Sequence, residues 1–307
     1  MFVRDFIFWL STKKRVTNAI ARRGMRYGFA RRFIAGEALA EALAASRELG
    51  RNGRAVSLDH LGENVRTVDE AERACSSYVE MVRELDAAGL EGNVSIKLTQ
   101  LGLDLDTGLC QALVTDIVAA AEKLGRTIEM DMEGTAYTDR TLDIFEATRR
   151  RFSNVGLAIQ SYLYRSEADL ERLAPLAPKI RLVKGAYREP PSLAFQRKRD
   201  VNANYLRLLD KLLDARFYPA IATHDPAMLD YARRQLSQRG MARDRYEFQM
   251  IYGVRRDLQQ ELREQGHPLR IYVPFGTEWC PYFMRRLAER PANCWFVLRS
   301  LAAESFS

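Results

Sequence analysis

The 307-residue sequence has no apolar run near the roughly 18 residues that a membrane span requires. Its four cysteines, Cys75, Cys110, Cys280 and Cys294, show no CxxC spacing. That argues against a zinc site or a disulfide framework, and for reduced, mostly buried thiols in a cytoplasmic protein. Only three histidines occur, and neither HxH nor HExxH spacing is found, which weakens a metal-centred reading. GxGxxG is absent, as is GxxxxGK followed by Ser or Thr, so the Gly-rich first turn of a dinucleotide fold is missing. A GxSxG nucleophile elbow is also absent. No segment is low-complexity, and no linker divides the chain.

What is present is ordinary globular composition, 47% hydrophobic and 28% charged, with length for a large core. The net charge of +7 is unevenly placed. Residues 1–35 hold nine Lys/Arg against the single acid Asp5, while the rest of the chain holds 38 basic and 39 acidic groups. The basicity therefore lives in an N-terminal arm, taken as residues 1–50, ahead of a catalytic body at 51–307. Such an arm suits the wet face of capping helices, an anionic membrane surface, or nucleic acid. The opening "MFVRDFIFWL" carries Arg4 and Asp5 and lacks a small-residue cleavage site, so it reads as a short helix and not a secretion signal.

After the helix-like "GEALAEALAASRELG", closed by Gly50, short Val/Ile-rich segments alternate with longer amphipathic ones. Strands are predicted for "AVSLDHL" from Ala55, "NVSIKLT" from Asn93, "TIEMDME" from Thr127 and "VGLAIQS" from Val155. The same holds for "KIRLVKGA" from Lys179, "YPAIATH" from Tyr218, "YEFQMIY" from Tyr246 and "LRIYVPF" from Leu269. Eight βα units imply a parallel sheet closed into a (βα)8 TIM-type barrel with extra N-terminal helices; an open doubly wound sheet is the weaker alternative.

In such a barrel the chemistry sits at the C-terminal ends of the strands. Polar residues occur there on most strands: Asp59 and His60, Lys97, Asp131 and Glu133, Gln160, Arg181 and Lys184, His224 and Asp225, Gln249, and Tyr272. Burying unpaired charge costs several kcal/mol, so this many charged strand ends indicate an active site. A metal-dependent barrel hydrolase or aldolase could draw on His60, His224 and the nearby acids. A glycosidase pair could be Asp131 and Glu133, although such pairs normally come from different strands. With Lys97, Arg181, Lys184, Arg285 and Arg286, cations outnumber anions at the rim, which suits an acidic small molecule and a phosphate-bearing cofactor.

Seven motifs in register resemble the proline dehydrogenase family over roughly residues 50–300. They are "SIKLTQLG" (95–102), "EMDMEG" (129–134), "AIQSYL" (158–163), "IRLVKGAY" (180–187), "ATHD" (222–225), "YEFQMIYG" (246–253) and "YVPFGTEWCPYFMRRLAER" (272–290). The resemblance implies a distorted (βα)8 barrel binding FAD. It implies oxidation of L-proline to Δ1-pyrroline-5-carboxylate, with hydride passing from C5 to flavin N5 and electrons then going to a quinone.

Residue by residue, it implies that Lys97, Arg285, Arg286, Tyr187 and Tyr272 hold the substrate. Guanidinium groups can pair with a carboxylate, and tyrosine rings can pack on a pyrrolidine ring. Glu289, one turn after Arg285, would orient it. FAD contacts fall on Met132, Gln160, Arg181, Lys184, Gly185, Ala186, Thr223 and His224. Arg181 would stand near flavin N5, and Asp131 would pair with Arg285 or Arg181 or take a proton directly. No metal ligand is expected. Ile251 stands where a leucine is typical, a near-isosteric change. Some family members carry an aldehyde dehydrogenase or a DNA-binding domain; this chain is expected to hand its product to a separate enzyme and to bind no nucleic acid. The expected location is cytoplasmic, with peripheral contact at the inner face of the membrane.

Overall fold

The computed structural model of the protein describes residues 30–280 together with Tyr282 and Phe283. The β-branched, alternating segments form β1 (Ala55–His60), β2 (Gly92–Ile96), β3 (Ile128–Met130), β4 (Val155–Gln160), β5 (Lys179–Val183), β6 (Tyr218–Ala222), β7 (Glu247–Ile251) and β8 (Leu269–Phe275). Neighbours are parallel, and β1 pairs with both β2 and β8, so the sheet closes in sequence order. The open-sheet alternative is therefore excluded.

Several strands end earlier than their composition suggests. Past Met130 the Met132 carbonyl accepts the Gln160 side-chain amide at 2.9 Å, not a backbone donor of β4. The chain leaves the ladder there, although "DME" keeps an alternating pattern.

Helices α1 (Leu39–Arg51), α2 (Val68–Ala87), α3 (Thr107–Lys123), α4 (Thr135–Arg149), α5 (Ser166–Leu173), α6 (Lys198–Asp214), α7 (Pro226–Gln238) and α8 (Arg256–Glu264) surround the barrel. Their starts are written locally. Thr67 accepts the Glu70 N–H at 3.2 Å, and Asp106 accepts the Leu109 N–H at 2.6 Å. Asp225 accepts the Ala227 N–H ahead of Pro226, a residue suited to a first helical turn. Helix α1 runs one residue past Gly50, and the left-handed glycine after it is Gly53. It packs against β1 and β8, where an outer-ring helix closing the barrel would lie. Trp279, Cys280, Tyr282 and Phe283 after β8 are helical. Residues 1–29 and the remainder of the C-terminal segment lie outside the described residues.

Strand parity sorts the two sides of the wall. Val56, Leu58, Val94, Ile96, Ile128, Met130, Ile180, Leu182, Phe248 and Met250 are buried among the helices. Each such burial contributes roughly 1.5–3 kcal/mol. The opposite parity carries Ser57, Ser95, Glu129, Arg181, Glu247 and Gln249, which meet one another inside the barrel. Small residues on β4 and β6 (Gly156, Ala158, Ala220 and Ala222) leave room for the long side chains of β5. Cys75, Cys110 and Cys280 are buried free thiols, as the spacing suggests.

Candidate active site

A cleft of about 420 Å³ opens at the C-terminal end of the strands, within the size range of small-molecule sites. Its floor is an ionic lattice. Arg181 Nε donates to Gln249 at 2.6 Å, and Nη2 donates to Ser95 at 2.8 Å. The same guanidinium pairs with Glu129 and Asp131. Below it, Lys179 reaches Glu129 at 2.8 Å and Glu247 at 2.7 Å, and Arg270 reaches Glu247 at 2.9 Å. At the mouth, Lys97 Nζ stands 2.5 Å from Asp59 and 3.2 Å from Asp131. Among the described residues the lattice thus joins four carboxylates (Asp59, Glu129, Asp131, Glu247) to four cations (Lys97, Lys179, Arg181, Arg270). This balance compensates a burial that unpaired charges would make prohibitive.

Asp131 accepts the Tyr272 hydroxyl at 2.7 Å. Burial works against its charge, but Lys97 and Arg181 hold its carboxyl below the usual range. Asp59 is shifted the other way: burial and the neighbouring Asp131 push it up against the pull of Lys97. The Tyr272 ring lies under the Arg181 guanidinium, 5.1 Å from centroid to Cζ. Of the two partners considered for Asp131, the described contact is with Arg181.

The walls gather most of the other expected residues. Met132, Lys184, Gly185, Ala186, Tyr187, Thr223 and His224 line the cleft together with Lys97, Asp131, Gln160, Arg181 and Tyr272. Lys184 pairs with Asp225 at 2.8 Å. His224 Nε2 accepts the Ile251 N–H at 2.9 Å, which fixes the other ring nitrogen as the protonated one in the neutral imidazole. Thr223 Oγ1 accepts the Asp225 N–H at 3.2 Å. Gly185 has φ +110°, and a Cβ there would overlap the Tyr162 ring. The need for glycine is set within the protein, by that ring and that backbone angle. Arg285, Arg286 and Glu289 lie outside the described residues.

Two rim candidates are not part of the cleft. His60 stacks on Phe275, ring centroids 5.1 Å apart, and its Nδ1 meets Ser77 Oγ at 3.1 Å. Glu133 turns to Thr99, accepting its N–H at 3.1 Å and its hydroxyl at 2.6 Å. Because β3 has ended, Asp131 and Glu133 do not share a face, and the glycosidase pairing fails. Among the described residues no group of three or more His, Cys, Asp or Glu is arranged to hold a metal ion.

Sequence reasoning passed over Glu129, Lys179, Glu247 and Arg270, which hold Arg181 from below. Strand parity was the available signal, since each lies two residues before a rim candidate: Asp131, Arg181, Gln249 and Tyr272. Tyr282 and Lys198, which also line the cleft, carried no such signal.

A closed parallel barrel with a charged cleft at its strand ends defines a (βα)8-barrel enzyme. The family model described as proline dehydrogenase matches residues 42–299. Proline dehydrogenase 2 of Bacillus subtilis (strain 168) is 38% identical over 301 residues, covering 98% of this chain and 99% of the relative. Proline dehydrogenase of Deinococcus radiodurans is 40% identical over 289 residues, covering 92% of each. Among solved structures, proline utilization A from Bdellovibrio bacteriovorus, inactivated by N-propargylglycine, superposes with a TM-score of 0.81 at 25% identity. That match covers 88% of this chain and 33% of the longer one. The chain belongs to the proline dehydrogenase family and is an oxidoreductase of proline metabolism.

Proposed function

We propose that the cleft binds L-proline beside FAD and oxidises it to Δ1-pyrroline-5-carboxylate, hydride leaving C5 for flavin N5 and electrons passing on to a quinone. The observation that carries the flavin reading is Gln160. Its Nε2 is committed to the Met132 carbonyl, while Oε1 is buried on the cleft wall with no partner among the described residues. A buried acceptor without a donor is costly, and a flavin ring offers an N–H of the kind that is missing. Lys184 adds a cation at the wall for a phosphate-bearing cofactor. When bound, the flavin supplies a two-electron acceptor.

The chain's residues supply the rest. Arg181, held by Glu129, Gln249 and Ser95, presents a fixed positive charge where negative charge develops on the acceptor. Asp131 stays ionised and locks Tyr272 and Lys97 in place. Tyr187 and Tyr272 give the pyrrolidine ring apolar faces, and Arg285 and Arg286 are assigned to the carboxylate.

The test is a spectrum. Purified protein is expected to be yellow, with flavin bands that bleach anaerobically on adding proline. A colourless protein, or one inhibited by chelators, would overturn the reading. A second partner, an anionic membrane surface, is proposed from the charge of residues 1–35. Binding to anionic liposomes should weaken as salt rises; no co-sedimentation at low salt would remove this partner. Among the described residues no helix is long and apolar enough to cross a membrane.

A further inference from the structure

β1 ends at the barrel mouth and leaves the Asp59 carboxyl fully buried on the cleft wall. Oδ1 accepts Lys97 Nζ at 2.5 Å. Oδ2 is closed off from solvent and has no hydrogen-bond partner among the described residues. A half-satisfied carboxylate anion in such a place is costly, and neutralising it relieves much of that cost. The charged and titratable groups facing it are Lys97 just past β2, Asp131 just past β3, Tyr272 from β8, Tyr78 from α2 and, next along β1, His60. Lys97 is the ammonium shared between the two acids. Asp131 also has Arg181 and the Tyr272 hydroxyl, so it keeps its charge and is a poor proton acceptor. Asp59 has Lys97, while the Tyr272 hydroxyl that also faces it gives its proton to Asp131, so Asp59 Oδ2 lacks a donor among the described residues.

The proline oxidation proposed above, on which this inference rests, needs such an acceptor. Removing hydride from the carbon next to a secondary ammonium requires the nitrogen lone pair, so the ammonium proton must leave first. We infer that Asp59 receives that proton through Lys97. Asp59 and Asp131 favour the charged form of Lys97, so the two transfers are coupled: as the Lys97 ammonium passes one proton to Asp59, it takes one from the substrate nitrogen. Lys97 ends as it began. Asp59 becomes a carboxylic acid, and the substrate becomes a neutral amine. The C–H electron pair then leaves as hydride for the flavin-class oxidant, and the nitrogen lone pair forms the C=N bond of a protonated imine. Asp59 touches the reaction only through Lys97, so it is a positioning residue that holds a proton.

The experiment is anaerobic rapid mixing of the flavin-loaded enzyme with proline across pH, for the natural protein and for Asp59→Asn. The Asn variant retains an oxygen for Lys97 but cannot take a proton. It is expected to keep its flavin colour, to reduce flavin about 100-fold or more slowly at neutral pH, and to recover about tenfold per pH unit as hydroxide replaces the missing base. Asp59→Glu should restore part of the neutral rate. Superimposable pH profiles for Asn and natural protein would overturn the inference. An infrared difference spectrum of the natural protein guards against a variant that fails to fold. Proline should produce a new protonated-carboxyl C=O stretch, and its absence overturns the inference without any mutant. If the natural protein does not bleach with proline, the functional reading itself falls. Bleaching with an unaltered Asn profile removes only the role of Asp59.

Discussion

Glu133 provides a measurable link between burial and pH. Its carboxylate is buried against Thr99, and burial pushes its pKa from the usual 4.5 to about 7, against the pull of the two Thr99 hydrogen bonds. The folded state therefore holds this proton more tightly than the unfolded chain. Stability is fully present below pH 4.5, declines as pH rises toward 7, and is level above that. A shift of this size corresponds to about 3 kcal/mol at 1.36 kcal/mol per unit. Glu133→Gln imitates the protonated acid: its amide N–H can donate to the Thr99 hydroxyl, and its oxygen can accept the Thr99 N–H. The variant should match the natural protein near pH 4.5 and gain over it between pH 4.5 and 7. The gain should then plateau at about 3 kcal/mol, or roughly 6–12 °C in Tm. The assay is thermal unfolding of both proteins at fixed protein and flavin concentration, from pH 4.5 to 8.5. A Tm difference that is independent of pH, or that shrinks as pH rises, would refute the reasoning.

Other outcomes follow from the same contacts. Arg181→Met takes one cation from each of two buried acids, leaving Asp131 with Lys97 and Tyr272 and Glu129 with Lys179 and Gln249, and should cost about 3–5 kcal/mol in urea unfolding; a loss under about 1 kcal/mol would contradict the lattice. Gly185→Ala places a methyl group into the Tyr162 ring at a φ that L residues disfavour, a strain of about 1–3 kcal/mol. Purified Gly185→Ala protein should carry less flavin, and full flavin content would show that the loop yields easily. Arg286→Met should raise KM for proline while flavin content holds, the lost charge contact costing about 2–5 kcal/mol. Unchanged proline kinetics would remove Arg286 from the substrate site.

Much of this protein is legible in one dimension. The eight strands are legible because β-branched runs separated by amphipathic stretches have few other structures open to them, whereas the β1–β8 pairing that closes the barrel is seen only in the structure. "LRIYVPF" begins and ends as its strand does. Lys97, Asp131, Arg181 and Tyr272 stand out in the sequence as polar groups at strand ends, where an apolar core would be expected. Where local pattern misled, the cause was a tertiary contact. "DME" looks like continued strand, but a side chain of β4 takes the Met132 carbonyl, and Glu133 then turns to Thr99. His60 looks like a site residue and is a stacked ring.

The sequence by itself determined the fold class, the family and which strand ends carry charge, because these depend on periodicity and residue type along the chain. Only the tertiary structure decided which charges meet. Arg181 was a lone cation until barrel closure brought Glu129, Asp131 and Gln249 around it from two other strands. Asp59 and Asp131, alike in one dimension, became different acids because one received three hydrogen-bonding neighbours and the other was left with Lys97. Electrostatic energy falls with distance through space and takes no account of separation along the chain, so the protonation states on which this site depends could be read only once the barrel was closed.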